Sequence, residues 1–345
     1  MTKRHIISSS KQYNGQYFTS NIKQMMQGFD INFIDRHVVD PFAGGCDLMN
    51  YAIEFGAASS TGYDLHPTSS AIIQNDSLMD PIDYTDKLLF SNPPYLAANK
   101  CRTGDKRPYD KWKQSDYYKC HLASLYPTCD EAVLVLPANF LSESSATARN
   151  MLFKNYICMK AKYWTNPMFN DTSSTICMIH IIKGVQDVQQ FPCTLNDTTI
   201  IDMVISAKNG WLFGDEFFDY INVPMTVYKC DNSTEAPNTH IVIGILDKGS
   251  YGTGYHLNYG DPKVSKKTAF TTFQVRSKIP LSENEEREIV KLANEKLNSY
   301  RTKYSSMFMS NYLGPNQKIL SVTWARKLLS RVISDVKGIR VSIED

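Results

Sequence analysis

Leu88-Leu-Phe-Ser-Asn-Pro-Pro-Tyr95 is the stretch that decides the fold. It opens as a short apolar strand without alternation, which suits a strand covered on both faces. Two consecutive prolines then end it, because each fixes φ and removes a backbone donor. A buried strand that delivers a polar loop at its carboxyl end is how open α/β sheets present a ligand site. The flanking chain agrees. Apolar runs at 36–40, 60–64, 132–136, 159–164 and 175–182 alternate with helical patterns at 48–55, 117–126 and 145–154. That alternation predicts a mostly parallel sheet wrapped by helices.

After Lys183-Gly184 the character changes. Residues 185–270 are rich in β-branched and aromatic side chains, with turn signals at Asn209-Gly210, Gly249–Gly254 and Tyr259-Gly260-Asp261-Pro262. Stretches 282–305 and 322–336 read as amphipathic helices, the first opened by a Ser282/Glu285 capping box. Two domains are therefore expected, 1–184 and 185–345.

The chain of 345 residues has 42% hydrophobic and 21% charged residues, an ordinary globular composition. No apolar run approaches the ~20 residues of a membrane span. The N-terminus lacks the apolar stretch of a signal peptide. Its eight cysteines form no C-x-x-C pair, so metal-ligand spacing is absent and reduced thiols in a cytoplasmic protein are expected. Net charge is only +2, and residues 184–345 hold 19 Lys+Arg against 18 Asp+Glu, so the balance is even along the chain. A nucleic-acid surface would have to be local. Two stretches qualify. Residues 100–119 hold seven basic against three acidic residues, with Tyr109, Trp112, Tyr117 and Tyr118 interleaved. Residues 262–278 hold Lys263, Lys266, Lys267, Arg276 and Lys278 with no acid. Each could equally be a solvated face.

In Asn92-Pro93-Pro94-Tyr95 the groups left over are acceptors: the Asn92 side-chain oxygen and the carbonyls of Asn92 and Pro93. Two acceptors on a rigid turn suit a planar amino group, which has two hydrogens to give. Accepting both localises the nitrogen lone pair, so a weak nucleophile can attack an electrophilic methyl in line. Tyr95 offers a face on which a flipped base can stack. Upstream, Val38-Val-Asp-Pro-Phe-Ala-Gly-Gly-Cys-Asp47 reads as a strand, a glycine turn and a helix. Asp64 ends the next strand, where an acid can hold ribose hydroxyls. Asn75-Asp76 lies where a third strand would end. Three acids at successive strand ends (Asp40, Asp64, Asp76) suit a nucleoside that is cationic and carries no phosphate.

Over residues 10–183 this set resembles the gamma-order amino-group DNA methyltransferases, in which cofactor motifs precede Asn-Pro-Pro-Tyr/Phe and target recognition follows. The resemblance implies a Rossmann-like methyltransferase mixed sheet with helices on both faces, plus a C-terminal α+β target-recognition region. It implies adenine-N6 methylation of double-stranded DNA with S-adenosylmethionine and no metal. Asn92, Pro93, Pro94 and Tyr95 would be catalytic, with Tyr95 and Phe169 against the flipped base; a core phenylalanine at 169 is the competing reading. Cofactor contacts would come from Tyr17, Phe18, Thr19, Asp40, Phe42, Gly44, Asp64, Asp76 and Asn92, with Thr19 at the methionine end. Lys106, Arg107, Lys111, Lys263, Lys266 and Lys267 are the candidate DNA contacts. The family's second glycine is replaced here by Cys46.

The expected role is the modification enzyme of a restriction-modification system or a viral or orphan methylase. It would act as a monomer on DNA, with a separately encoded restriction endonuclease as candidate partner. The same acceptor logic admits cytosine N4, RNA adenine or a protein glutamine. Cytosine-N4 relatives more often carry Ser-Pro-Pro-Tyr, and glutamine methyltransferases end sooner after the catalytic domain. A non-catalytic DNA-binding scaffold is the reading from another class.

Overall fold

The structure is a computed structural model that describes residues 19, 21–102, 104–142, 146–169, 175–212, 223–230, 237–244, 246–248, 257–262, 272–304, 307–311 and 317–339. The chain divides into two compact units. Residues up to Phe140 with Ala146–Ala207 form one, and Leu141–Ser145 with Lys208 onward form the other.

The first unit is built on a nine-stranded sheet. Its strands are β1 (His37–Asp40), β2 (Ser59–Asp64), β3 (Ile72–Gln74), β4 (Leu88–Ser91), β5 (Glu131–Pro137), β6 (Tyr156–Tyr163), β7 (Ile176–Lys183), β8 (Val188–Leu195) and β9 (Thr199–Ser206). They lie in the order β3-β2-β1-β4-β5-β7-β6-β8-β9. The first five are parallel, and β7 runs antiparallel between β5 and β6. This is the Rossmann-like mixed sheet that the sequence led us to expect. The chain leaves β1 toward β3 and returns to place β4 on the other flank of β1, which makes the β1/β4 carboxyl ends a topological switch point.

Period-two alternation splits each strand between two faces. Val38, Leu88, Phe90, Val133, Val135, Ile176 and Met178 form one core face with Ile22, Met25 and Met26 of α1 (Ile22–Met26) and Leu48, Tyr51 and Ala52 of α2 (Asp47–Glu54). Their neighbours Val39, Leu89, Leu134 and Leu136 are at most 1% exposed, so the opposite face is covered as well. Gly62 lets α2 lie close on β2: a Cβ there would meet Met49 Sδ at 2.2 Å and Ala43 Cβ at 2.7 Å.

The sheet runs past the boundary expected at Gly184. Leu195, Thr194 and Cys193 of β8 pair in parallel with β6, and β9 folds back on β8. The connection is Asn196-Asp197-Thr198, with Asn196 and Asp197 left-handed at φ of 47° and 61° and the Thr198 N–H donating to the Leu195 carbonyl at 3.0 Å. The hairpin stays with the first unit because Gln189, Phe191 and Cys193 are buried on alternate positions of β8. Gln189 bridges an irregularity in β6, accepting from the Cys158 N–H at 2.8 Å and donating to the Tyr156 carbonyl at 3.0 Å.

The second unit is α+β. Its strands β10 (Met225–Lys229), β11 (Ile241–Ile243), β13 (Leu257–Tyr259) and β14 (Phe273–Ser277) form an antiparallel sheet, β10-β14-β11-β13. A smaller sheet joins β12 (Leu246–Lys248), β16 (Gln317–Ile319) and β15 (Ser310–Asn311). Two long helices follow, Glu283–Tyr304 and Val322–Lys337. The expected capping box opens the first, with the Ser282 N–H donating to Glu285 Oε2 at 2.7 Å. Among the described residues no helix is long and apolar enough to cross a membrane, and all eight cysteines are free thiols.

Candidate active site

A cleft opens at the carboxyl ends of β1, β2 and β4. It is lined by Phe42 and Gly44 after β1, Asp64 and Leu65 at β2, Asn75 to Leu78 after β3, and Asn92 and Pro94 after β4. Asp105, Pro108 and Tyr117 close a further wall.

Asp64 is 5% exposed, and both its oxygens are engaged: Oδ2 accepts from the Gly44 N–H at 3.0 Å and Oδ1 from His66 N–H at 2.9 Å. The acid thus holds the glycine turn in place while facing the cleft. Gly44 has φ 48° and Cys46 φ 67°, both in the left-handed region. Cys46 therefore occupies a position where glycine would be unstrained, and it directly precedes α2. Asp40 sits behind the cleft, 2% exposed, accepting from the Phe42 N–H at 3.0 Å and the Ser91 hydroxyl at 2.9 Å. Burial pushes its carboxyl up to about 7. Asp76 Oδ1 accepts from the Met79 N–H at 3.3 Å, and its Oδ2 lies 3.7 Å from Arg107 Nη2.

Asn92 is 9% exposed. Its Nδ2 donates to Thr19 Oγ1 at 3.2 Å, and the Tyr95 hydroxyl lies 2.5 Å from its Oδ1 and 2.8 Å from the Val135 carbonyl. The Tyr95 ring packs against the core cluster that also holds Phe169, itself 3% exposed, and meets Tyr118 edge-on at 6.3 Å. Pro93 is buried and Pro94 lines the cleft.

Part of the stretch 100–119, a candidate DNA surface from its sequence, is packed into the cleft wall. Tyr109 Oη donates to the Leu96 carbonyl at 2.8 Å, Trp112 Nε1 to Leu78 at 2.7 Å and Tyr117 Oη to Asp105 at 2.5 Å. Lys111 Nζ donates to the Met79 carbonyl. Arg107 opens the helix Arg107–Trp112 and clasps Asp105, with Nε 2.9 Å and Nη2 2.7 Å from Oδ2. Lys106 is exposed at that helix's cap. Tyr17, Phe18, Lys263, Lys266 and Lys267 lie outside the described residues.

Several residues of the site carry no sequence signal of their own. Ser91 orients Asp40, and Asp105 joins the lining. His121 backs the Phe42 ring edge-on at 4.9 Å, fully buried and neutral because burial pulls it down to about 3. Period-two counting from Phe90 would have given Ser91 to the opposite face, the one signal available for it.

The cleft's donor set fits a cationic nucleoside. Three carboxylates line it (Asp64, Asp76, Asp105), and among the described residues no lysine or arginine does. Even with Arg107 paired to Asp105 and near Asp76, the surplus of carboxylate favours a sulfonium and an amino group over a phosphate.

No family model and no curated protein sequence matches the chain. Among solved structures, the chain is similar to a modification subunit of a putative type I restriction enzyme from Vibrio vulnificus, at 14% identity and TM-score 0.41, over 54% of this chain and 48% of that one. It is similar to the type I restriction-modification methyltransferase subunit from Streptococcus thermophilus, at 16% identity and TM-score 0.42, over 53% and 48%. The EcoKI M protein aligns over 96% of this chain and 75% of its own, at 13% identity and TM-score 0.41. The chain spans about half the length of the first two proteins.

Proposed function

We propose that the protein is a site-specific adenine-N6 DNA methyltransferase that uses S-adenosylmethionine. The observation that carries this reading is that Asn92, delivered by β4, lines the same cleft as Asp64 and Asp76. Methyl donor and acceptor groups can therefore meet at the switch point of the sheet.

S-adenosylmethionine, when bound, supplies a methyl group activated by the sulfonium. The chain's own residues do the rest. The turn at Gly44 and the carboxylates of Asp64 and Asp76 hold the nucleoside end. Asn92 Oδ1 and the adjacent carbonyl accept the two hydrogens of the target amino group and so expose its lone pair. Tyr95 holds the flipped base by stacking. Phosphate and base contacts are divided, with recognition assigned to the second unit and to Lys263, Lys266 and Lys267. The partners are then double-stranded DNA and, in a restriction-modification setting, a separately encoded endonuclease.

The test uses purified protein, methyl-labelled S-adenosylmethionine and three acceptors: lambda DNA, total RNA and a protein extract. Label in DNA alone is the expected result. Label confined to RNA or protein would replace the substrate, and no label with tight cofactor binding would support a scaffold.

A further inference from the structure

We infer that Asn196, in the connection between β8 and β9, is a positioning residue that holds the loop packed behind Tyr95. This rests on the reading of Tyr95 as the face on which the target base stacks. β5 runs parallel to β4, β7 antiparallel to β5, β6 antiparallel to β7 and β8 parallel to β6. The carboxyl ends of β6 and β8 therefore lie on the same edge of the sheet as Asn92. The loop that leaves β6, residues 164–169, meets the β8–β9 connection on that edge.

Asn196 Oδ1 accepts from the Thr165 N–H at 2.9 Å and from the Thr165 hydroxyl at 3.1 Å. A backbone N–H can only donate, so the end of the amide that faces Thr165 is its oxygen. The Asn196 N–H donates to the Tyr163 carbonyl at 2.9 Å. Next to it, Asp197 Oδ2 accepts from Trp164 Nε1 at 3.0 Å. Two consecutive residues of the connection thus grip two consecutive residues of the loop. Further along, Asn21 Nδ2 donates to the Met168 carbonyl at 2.6 Å and ties the loop to the chain just before α1.

The loop carries Trp164, Met168 and Phe169, all buried, and the Tyr95 ring packs against the cluster they belong to. A loop that shifts moves the surface behind that ring, and a misplacement of about 1 Å can cost on the order of a hundredfold in rate. None of the contacts just named involves Gly44, Asp64 or Asp76, so the cofactor end of the cleft does not depend on them. Asn196 has φ 47°, which asparagine, aspartate and glycine tolerate better than other residues. Its side chain can therefore be changed with the backbone of the connection kept.

The experiment compares Asn196→Gly and Asn196→Asp in the full chain, using lambda DNA and S-adenosylmethionine. Asn196→Gly deletes the acceptor and should lower kcat on the order of ten- to a hundredfold, while the calorimetric affinity for S-adenosylmethionine stays within about twofold. Asn196→Asp keeps an oxygen toward Thr165 and should regain most of the lost kcat. Thr165→Val removes one of the two bonds from the opposite side and should lower kcat in the same direction; it tests the join even if Asn196→Gly does not fold. Unchanged kcat in Asn196→Gly or in Thr165→Val would overturn the inference. So would aspartate as damaging as glycine, or cofactor affinity falling in step with kcat. A wild-type protein that transfers no methyl to DNA would instead remove the functional reading on which this one stands.

Discussion

Removing the charge of Lys162 should destabilise the first unit by an amount that can be worked from its contacts. Its side chain is 2% exposed, and Nζ lies 2.6 Å from Asp197 Oδ1, 2.7 Å from the Gln27 carbonyl and 3.1 Å from that of Met25. Asp197 Oδ2 also accepts from Trp164 Nε1 at 3.0 Å. Breaking a buried pair by deleting one partner costs about 3–5 kcal/mol. Asp197 is 25% exposed and regains some hydration, so Lys162→Met should cost about 3 kcal/mol, the low end. Asp197→Asn keeps a neutral acceptor and loses one charge-assisted bond, about 2 kcal/mol. In the double variant neither stranded partner remains, so its cost should fall short of the sum by about 1–2 kcal/mol. Urea unfolding followed by tryptophan fluorescence gives all three values, Trp164 being the local reporter. Costs that add within about 0.5 kcal/mol would refute the coupled pair.

Asp64→Ala should weaken S-adenosylmethionine binding by about 1–3 kcal/mol in calorimetry, since it removes a charged acceptor and frees the Gly44 turn; unchanged affinity would take Asp64 out of the site. Asp40 holds its proton to about 7 in the fold against 3.8 as an ordinary carboxyl, so its contribution to stability is full below 3.8 and is lost as pH rises through 7. Asp40→Asn cannot ionise, so its urea midpoint should gain on wild type between pH 4 and 7 and hold level above; a constant difference would mean Asp40 is already ionised in the fold. Tyr95→Ala should lose about 1–3 kcal/mol of base stacking while Tyr95→Phe keeps most activity; a phenylalanine as damaging as alanine would assign the role to the hydroxyl beside Asn92.

What the sequence could tell follows from range. Asn92-Pro93-Pro94-Tyr95 and Asp64 were legible because prolines, glycines and strand ends act within a few residues of themselves, and the sheet places them without further instruction. The β8–β9 hairpin was assigned to the wrong side of Gly184 because its alternation is equally good in either sheet. Only the pairing of Cys193–Leu195 with β6 decides which sheet receives it. For the basic stretch 100–119, composition counts charges and not their partners: Arg107 pairs with Asp105, and Lys111 donates to a backbone carbonyl. Lys162 acts across more than a hundred residues, and no local pattern marks it.

The central claim is that Asn92 activates an adenine amino group, and nucleoside analysis of treated DNA tests it most directly. Unmethylated lambda DNA would be incubated with S-adenosylmethionine and either wild type or Asn92→Ala, digested, and separated by mass spectrometry. Wild type should yield N6-methyldeoxyadenosine at one short recognition sequence, and Asn92→Ala none, though it still binds the cofactor. N4-methyldeoxycytidine as the product, or equal methylation by Asn92→Ala, would contradict the account.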